Sequence, residues 1–571
     1  MIDSDYIKNY FIENKIIFPT NTHDGRQSGF QNYGPIGLRI KNNIVNVWRE
    51  NFVCFDRKIN IFEIDSPIIS THQVLSRSGH VQKFNDLGII FKNIQTNKIV
   101  SMKRADHFIE EQIDLLGIGD QIYIEDPQFI KNFLESNNLY DKQLQFVEIV
   151  PISLMFKMNN IGDDVEESMY LRPEIAQTIF IEFKQFYDHN NSKLPFGIGQ
   201  VGKSYRNEIS DKPFIRLKEF TQAEVEYFYN PHDKFDFVIP QEYSDKKVFI
   251  LDAKTQQNYT DKKLNQNSQI SLNSYPNNLT MLNTIITNPV LRMFIFRLYL
   301  FAEQIGLDMN LIRFRQHKSD EKAHYANDCW DLEANIFGKW LEITGIADRG
   351  NYDLTVHDHN NSFKIKKSTE PIIKYRLVPR TKEIFKNYPK EQALEIVKKY
   401  KEVILDVIDK DNFDKNLYPD EFYNIEEFKY YDTITPYVIE PSLGIDRIFY
   451  SVVVHNLKIR PDTTRPYLLL QKKISPYDFA LLQLSSHPDL VNKFNEFIQK
   501  LYKFNIFTDL PSTSIGKRYT RADELGIKYS ITIDFETLKD NSVTIRNIYD
   551  MKQIKVIFDN IKFDNIDSMF I

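Results

Sequence analysis

Cysteine is nearly missing from this 571-residue chain. Cys54 and Cys329 can build neither a disulfide framework nor a Cys-x-x-Cys metal site, so a reducing compartment is the natural setting. Excess charge of one sign is missing too: 72 Lys plus Arg face 78 Asp plus Glu, a formal charge of −6. That balance excludes a histone-like, globally basic nucleic-acid binder but leaves room for local basic surfaces that hold phosphates. Long apolar runs are absent. Residues 291–302, among the most apolar, carry Arg292 and Arg297 and fall short of the roughly 20 residues of a membrane span. The opening residues, Met1-Ile-Asp-Ser-Asp-Tyr-Ile-Lys8, show neither a basic-then-apolar leader nor an Arg-rich, acid-poor transit peptide. A soluble, cytoplasmic protein with no membrane partner is expected, and no internal repeat of fixed period is visible.

What is present is enough to fold. Apolar residues make up 42% and aromatics 13%, so the chain can bury sizeable cores. At roughly 150 residues per domain the length corresponds to about four units. Three stretches read as peripheral insertions, about 88–145, 230–285 and 360–430. The second is polar, with Gln256, Gln257, Asn258, Asn265, Gln266 and Asn267, and the third holds a charged helix over 391–409. Between them the periodicity is clear. Ile40, Ile44, Trp48 and Phe52 recur every four residues after Gly34-Pro35, which predicts a helix over 38–52 with one apolar face. A strand over 60–65 follows, ending before Pro67. Pro173 is placed in the first turn of a helix to about 187, with Ile175, Ile179, Phe183 and Phe186 inward. Strands over 196–206 and 217–229, joined by a polar loop at 207–213, form a long hairpin.

After Pro466 strands (477–484, 505–510, 529–535) alternate with helices (488–501, 515–525). In the third strand Tyr529, Ile531, Ile533 and Phe535 alternate with Ser530, Thr532 and Asp534. A turn at Lys539-Asp540-Asn541, a strand over 542–548 and a final helix from Asp550 complete the tail. This alternation argues a compact α/β domain of about 100 residues, distinct from the hairpin-rich body before it, with the boundary near 460–475.

Two segments carry chemistry. On the hairpin, Arg206 and Glu208 are two apart and share a face of extended backbone, with Arg216, Lys218, Glu219 and Phe220 opening the second strand. A planar guanidinium suits phosphate oxygens, a carboxylate can accept from an adenine amino group, and Phe220 can stack on the base. By itself Arg-Asn-Glu on a hairpin is more often a solvated turn. The second segment is Tyr437-Val-Ile-Glu-Pro-Ser-Leu-Gly-Ile-Asp-Arg447-Ile-Phe: a strand to Glu440, a tight turn, then a helix. Ile445, Ile448, Phe449, Val452 and Val453 form its core face, and Arg447 projects from the first turn, where unpaired amides favour an anion.

The hairpin with two arginines and the strand–turn–helix with a third resemble motifs two and three of class II aminoacyl-tRNA synthetases. The 38–52 helix with its strand and Pro67 resembles the dimer-forming motif one. More specific strings resemble glycyl-tRNA synthetases: Ser78-Gly-His-Val-Gln-Lys-Phe84, Arg104-Ala-Asp-His107, Tyr170-Leu-Arg-Pro-Glu-Ile-Ala-Gln177, Ser204-Tyr-Arg-Asn-Glu-Ile209, Arg313-Phe-Arg-Gln-His317 and Ala323-His-Tyr-Ala-Asn-Asp-Cys-Trp-Asp331. Glu342-Ile-Thr-Gly-Ile-Ala-Asp-Arg349, Glu440-Pro-Ser-Leu-Gly444 and Ile515-Gly-Lys-Arg-Tyr-Thr-Arg-Ala-Asp-Glu-Leu-Gly526 do so as well. The resemblance runs in order over roughly 25 to 560, and is closest to the eukaryotic-type homodimeric form without an N-terminal helical extension.

The resemblance implies an α+β catalytic body over 1–465, built on an antiparallel sheet with flanking helices and insertions, and a C-terminal α/β anticodon-binding domain over 466–571 with a mixed sheet. It implies a glycine–tRNA ligase that uses ATP and Mg2+, acts on tRNA(Gly) as a homodimer, and condenses the adenylate with a second ATP to diadenosine tetraphosphate as a side activity. It assigns Arg206, Arg216 and Arg447 to catalysis. It places Arg104 at the glycine carboxylate, and Glu174, Glu224 and Glu440 around the ammonium with Ser442 beside them. Phe220, Thr221, Gln222, Ala223, Pro441, Leu443 and Gly444 complete the glycine site. ATP falls to Arg206, Asn207, Glu208, Ile215, Arg216, Leu217, Lys218, Glu219, Phe220, Glu342, Ile343, Gly444, Ile445, Asp446 and Arg447, with Glu342 the magnesium ligand. Ile175, Thr178, Lys203 and Lys218 depart from the commoner family residues.

Physics agrees with such a site. Glycine has no side chain to grip, and one methylene is worth only about 1–3 kcal/mol, so alanine must be rejected by a clash. The rivals are a non-catalytic, nucleic-acid-binding descendant of the fold and a sister class II synthetase for proline, threonine, serine or histidine. Lys517, Arg518, Arg521 and Arg546 are candidates for the anticodon arm, against a merely solvated face. The basic run Lys364, Lys366, Lys367, Lys374, Arg376 and Arg380 is read as a solvated face that could touch the acceptor stem. His317, His324 and Cys329 fit no familiar zinc spacing, so no zinc is expected and packing beneath the active site is preferred.

Overall fold

The computed structural model describes residues 2–22, 25–56, 58–105, 108–109, 112, 127–136, 144–158, 168–209, 213–257, 278–319, 321–322, 326–367, 370–405 and 418–570. Outside them lie His107, Asn258, Asn265, Gln266, Asn267, His324, the centre of the 207–213 loop and the far end of the helix expected over 391–409. The described chain falls into two compact units: Met1–Phe228 with Phe235–His357 and Val438–Ile571, and Tyr229–Lys234 with Asp358–Tyr437.

In the larger unit, helix α1 (Ser4–Glu13) is followed by α2 (Pro35–Trp48). Pro35 occupies the first helical position, where its missing N–H is no loss. Ile40, Ile44 and Trp48 are fully buried, and a wider π-type turn over Arg49–Val53, rather than a continuing α-helix, delivers Phe52 to the same core. Next come β1 (Ile61–Ile64), α3 (Ala176–His189), β2 (Phe196–Tyr205), β3 (Glu219–Tyr229), β4 (Phe249–Leu251), α4 (Pro289–Gln304), β5 (Ile312–Gln316), β6 (Asp328–Ile336), β7 (Lys339–Gly350), α5 (Tyr352–His357), β8 (Tyr437–Gly444) and α6 (Ile445–Asn456). The strands form one sheet in the order β4-β5-β6-β7-β8-β3-β2-β1. Its pairs β5–β6, β6–β7, β7–β8 and β2–β3 are antiparallel, while β1–β2 and β4–β5 are parallel. β3 lies near the middle and is buried continuously from Thr221 to Tyr229, so acidic residues on it stand on the floor of the fold.

Two expectations here are corrected. Pro173 does not open α3, which starts at Ala176; its carbonyl accepts Arg206 Nε at 3.2 Å, taking it out of a helical ladder. Residues 441–444 are not a turn but the end of β8, because β7 supplies partners for the first three: Ile346 opposite Pro441, Gly345 opposite Ser442, Thr344 opposite Leu443. Pairing overrides the turn chemistry of Pro and Gly, and Gly444 becomes the N-cap of α6. The helix face is as expected, with Ile445, Ile448, Phe449, Val452 and Val453 all fully buried.

Toward the C-terminus, β9 (Phe479–Gln483), α7 (Pro488–Lys500), β10 (Ile506–Asp509), α8 (Ile515–Glu524), β11 (Tyr529–Ile533), β12 (Ser542–Asn547) and β13 (Gln553–Ile557) form a five-stranded mixed sheet, order β10-β9-β11-β12-β13. β11 is buried at every position, so its polar alternates Ser530 and Thr532 are covered as well. The helix expected from Asp550 is instead β13, which finds antiparallel partners in β12 from Ser542 to Arg546. In the smaller unit Ile372–Pro379 pairs with Tyr423–Tyr430 and, at Tyr375 and Arg376, with Ile404–Leu405. The helix expected over 391–409 spans Lys390–Lys401 and ends before Ile404–Leu405, whose pairing replaces it.

Candidate active site

Strand alternation puts Glu224 and Glu226 of β3 on one face, as it does Glu440 and Ser442 of β8. Ser442 opposes Gly345 of β7, and Glu440 opposes Ala347, so small residues lie between the acids and β6. Glu224 accepts from the Ser442 hydroxyl and, at 2.7 Å, from Gln222 Nε2. Glu440 accepts from Arg349 Nη1 at 2.6 Å, and Arg349 forks onto Asp353 at 2.7 and 2.9 Å. Glu174, just ahead of α3, accepts from Gln177 Nε2 at 2.8 Å and sits 3.4 Å from His80 Nε2. Gln177 Oε1 in turn lies 2.7 Å from His357 Nε2.

Crowding sets the protonation of these acids. Burial, with Glu440 and Glu174 nearby, pushes Glu224 up to about 8. Burial and Glu174 push Glu440 up to about 7 against the pull of Arg349. Burial and Glu440 raise Glu226 well above the carboxylate range. Glu174 goes the other way: burial would raise it, but His80, Arg349 and Gln177 hold it well below its ordinary value. Burial lowers His357 to about 4, so near neutrality its Nε2–H is a neutral donor. The three glutamates expected around an ammonium therefore sit within electrostatic reach of one another.

Beside this acidic cup opens a cavity of about 200 Å3, lined by Arg206, Glu208, Ile215, Arg216, Leu217, Phe220, Thr221, Gln222, Glu342, Ile343, Thr344, Gly345, Ser442, Gly444, Asp446 and Arg447. Gln222 and Ser442 join it to the cup, since both hold Glu224. The Arg206 guanidinium lies 5.3 Å from the centre of the Phe220 ring and 5.2 Å from that of Phe84. Arg447 is pinned by two carbonyls, Ile215 at 3.2 Å and Glu342 at 2.9 Å, and lies 3.5 Å from the Glu342 carboxylate.

Other expected residues have different surroundings. Arg104 meets Asp86 at 2.9 Å and Glu208 at 3.1 Å, which places it with the nucleotide-loop acid rather than among the cup glutamates. Asp446 lines the cavity, but its buried carboxylate is committed to Lys41 at 2.8 Å, Tyr33 at 2.5 Å and the Thr221 amide at 2.5 Å. Although burial would raise it, Lys41 and Tyr33 keep it ionised. The Asn207 backbone amide donates to the Leu154 carbonyl at 2.7 Å, the Lys218 backbone amide to the Gly29 carbonyl at 2.8 Å, and the Glu219 side chain pairs with Lys203 at 2.9 Å; none of these three residues lines the cavity. Ala223, Pro441, Leu443 and Ile445 are buried backbone positions of β3, β8 and α6.

Sequence reasoning missed Glu226, Arg349, Gln177 and His357. Glu226 had a signal, being two residues beyond Glu224 in a predicted strand. Arg349 stood at the end of a quoted string without being singled out. His317, Cys329 and Asp331 offer ligand atoms within 4.8 Å of one another, and His317 Nε2 is 2.8 Å from Asp331 Oδ2. Burial opposes the charge on His317, yet Asp331 and Cys329 push it up to about 10.

The C-terminal basic cluster is corrected in part. Arg518 is fully buried and donates to the carbonyls of Gln483 at 2.7 Å, Leu484 at 3.2 Å and Asp509 at 3.3 Å. Arg546 is buried on Asp523 at 2.8 and 2.9 Å. Both stabilise the sheet from inside, leaving Lys517 exposed and Arg521 half exposed and paired with Asp509 at 2.6 Å.

Residues 156–249 match the tRNA synthetase class II core domain (G, H, P, S and T), and residues 478–562 match the anticodon binding domain. The glycine–tRNA ligase of Methanocaldococcus jannaschii is 35% identical over 94% of this chain and 94% of its own. Those of Methanococcus maripaludis (33%, 93% of this chain, 94% of that one) and Archaeoglobus fulgidus (34%, 93% and 91%) are similar. Among solved structures, Giardia lamblia prolyl-tRNA synthetase with prolyl-adenylate superposes with a TM-score of 0.52 at 12% identity, covering 97% of this chain and 73% of that one. The Cryptosporidium parvum prolyl-tRNA synthetase with L-proline and AMP does so with a TM-score of 0.51 at 10% identity, covering 99% and 74%. These two likenesses establish the fold. Among the described residues, no helix is long and apolar enough to cross a membrane.

Proposed function

Because the chain belongs to the glycine–tRNA ligases, a class II synthetase family, we propose that it activates glycine with ATP and passes the glycyl group to tRNA(Gly). The glycine carboxylate attacks the ATP α-phosphate in line, giving glycyl-adenylate and pyrophosphate; the 3′-hydroxyl of the terminal adenosine then takes the glycyl group and releases AMP. No side chain serves as nucleophile. Arg206, Arg216 and Arg447 neutralise charge on the phosphates and hold the reacting atoms in line. Phe220 stacks on adenine and Glu208 accepts from its amino group. Arg104, on this reading, reaches the glycine carboxylate by exchanging a carboxylate partner.

The observation that carries the proposal is continuity: Gln222 and Ser442 line the arginine-bearing cavity and also hold Glu224 of the acidic cup. A small cation in the cup would have its carboxylate directed at the phosphate site. The Glu342 carboxylate, more than half exposed at the cavity rim, suits Mg2+, a hard cation that binds through one or two carboxylates plus phosphates and water. When bound, the ion would offset charge on the leaving pyrophosphate.

The finer assignments are part of the same reading: a cytoplasmic homodimer whose body spans 1–465, with residues 466–571 reading the anticodon arm through exposed Lys517 and Arg521. Glycine-dependent ATP–pyrophosphate exchange and glycylation of a tRNA(Gly) transcript, each set against alanine, test the core. Exchange with proline or threonine but not glycine would move the chain to a sister synthetase, and absence of ATP binding would make it a non-catalytic descendant.

A further inference from the structure

The acids of the cup outnumber the charge available to offset them. Glu174, Glu224, Glu226, Glu440 and Asp353 converge as five acids, against which stand Arg349, already bonded to Asp353 and Glu440, Arg172 near Glu224, and His80 beside Glu174. A buried cluster of like charges cannot ionise throughout, so at least one proton must reside in it. Hydrogen bonding decides where. Glu440 has Arg349, and Glu224 Oε1 has Ser442 and Gln222. Glu226 is 0% exposed and, among the described residues, neither of its oxygens has a hydrogen-bond partner; nor does the second oxygen of Glu224. One oxygen from each of Glu224, Glu226 and Glu440 lies within 4.8 Å of the others.

We propose that Glu226 is a positioning residue of the glycine site: a neutral carboxylic acid that donates its hydroxyl to the open oxygen of Glu224. When the ammonium draws Glu224 into its ionised form, Glu224 is aimed by donors at both oxygens, and Glu226 stays neutral so that the cup carries at least one negative charge fewer than its acids could. Burial and the facing acids favour this state, and Arg349 opposes it. On β3 itself there is Glu224, on β8 Glu440, and on α5 Asp353, while Arg349 of β7 is committed elsewhere. Its neighbour across β2 is Ile198, which supplies no donor. A neutral acid kept as a donor by its surroundings is an established catalytic device. Here it would hold geometry instead of touching the substrate, which needs a fixed cup to exclude a methyl group.

This inference rests on the glycine reading above, and the test separates the two. Exchange kinetics are measured on the full chain and on Glu226→Gln and Glu226→Ala, with KM for glycine and ATP determined separately. An amide keeps the donor and cannot ionise, so Glu226→Gln should keep the glycine KM within about threefold of the parent. Glu226→Ala should raise that KM roughly 10- to 100-fold, the contribution of a hydrogen bond to a charged acceptor, with the ATP KM unmoved. If Glu226→Gln loses glycine as badly as Glu226→Ala, the negative charge itself is required and the proposal fails. It also fails if Glu226→Ala leaves the glycine KM unchanged. Should Glu226→Ala not fold, Glu226→Gln alone decides: retention supports the neutral donor, loss overturns it. A parent chain that exchanges with no glycine would overturn the functional reading, and this inference with it.

Discussion

Replacing Arg447 with Ala removes a cation whose position is set by three segments at once. Its guanidinium donates to the carbonyl of Ile215, ahead of β3, and to that of Glu342 on β7, while its backbone belongs to the first turn of α6. The cation is therefore held at the cavity wall, facing the proposed phosphate site, before substrate arrives. A unit charge about 4 Å from a phosphate oxygen contributes about 4 kcal/mol at an effective dielectric near 20. The side chain is 33% exposed, which screens part of this and leaves about 2–4 kcal/mol. That corresponds to a loss of about 30- to 1,000-fold in glycine-dependent ATP–pyrophosphate exchange. Arg447→Lys, which keeps the charge but cannot span both carbonyls, should fall between parent and Ala variant. Circular dichroism and melting temperature, measured alongside, should match the parent. Undiminished exchange by a folded Arg447→Ala protein would refute the assigned role.

The cup predicts a pH dependence. Glu224 and Glu440 titrate upward in the folded chain, to about 8 and about 7, so the folded state holds protons that the unfolded state releases. Stability without glycine should then decline as pH rises from the ordinary carboxylate range toward 8, and added glycine should flatten that decline in a thermal melt. Gly202→Ala would put a Cβ 2.2 Å from Arg172 Nη2; Arg172 is buried and bonded to the Lys203, Ser66 and Pro67 carbonyls. The expected cost is about 3 kcal/mol, with a raised glycine KM because Arg172 and Glu174 share one segment; an unchanged melting temperature would contradict it. Arg518→Ala should lower the melting temperature through about 3 kcal/mol of lost carbonyl partners, while Lys517→Ala should leave it alone and weaken tRNA binding with a shallower salt dependence.

Local chemistry explains which elements were legible beforehand. α2 and α6 were readable because Ile40, Ile44, Trp48 and Ile445, Ile448, Phe449, Val452 repeat at helical spacing and are buried for that reason. The 196–229 hairpin was readable because two apolar runs flank one polar loop. The misreadings share a cause. Pro441 to Gly444 and the residues after Asp550 carry turn or helix chemistry locally, and both became strand because a partner strand offered its hydrogen bonds. Arg518 and Arg546 look the same in sequence as exposed Lys517, since a buried arginine is recognisable only by the carbonyls or carboxylate that receive it.

Residue order alone determined the kinds of group this protein could bring to a site: arginines on a hairpin, an arginine at a helix start, glutamates at strand positions, and strings specific enough to show kinship. Those are properties of spacing along one chain. Packing of distant segments decided the rest. It brought Glu440 to Glu224 and Glu226, drew Arg349 to Glu440, gave Arg104 to Glu208 and closed Asp446 onto Lys41. Protonation belongs to the second group, because the charge a carboxyl carries depends on how much water it loses and which neighbours it meets, and both are fixed only when distant segments come together.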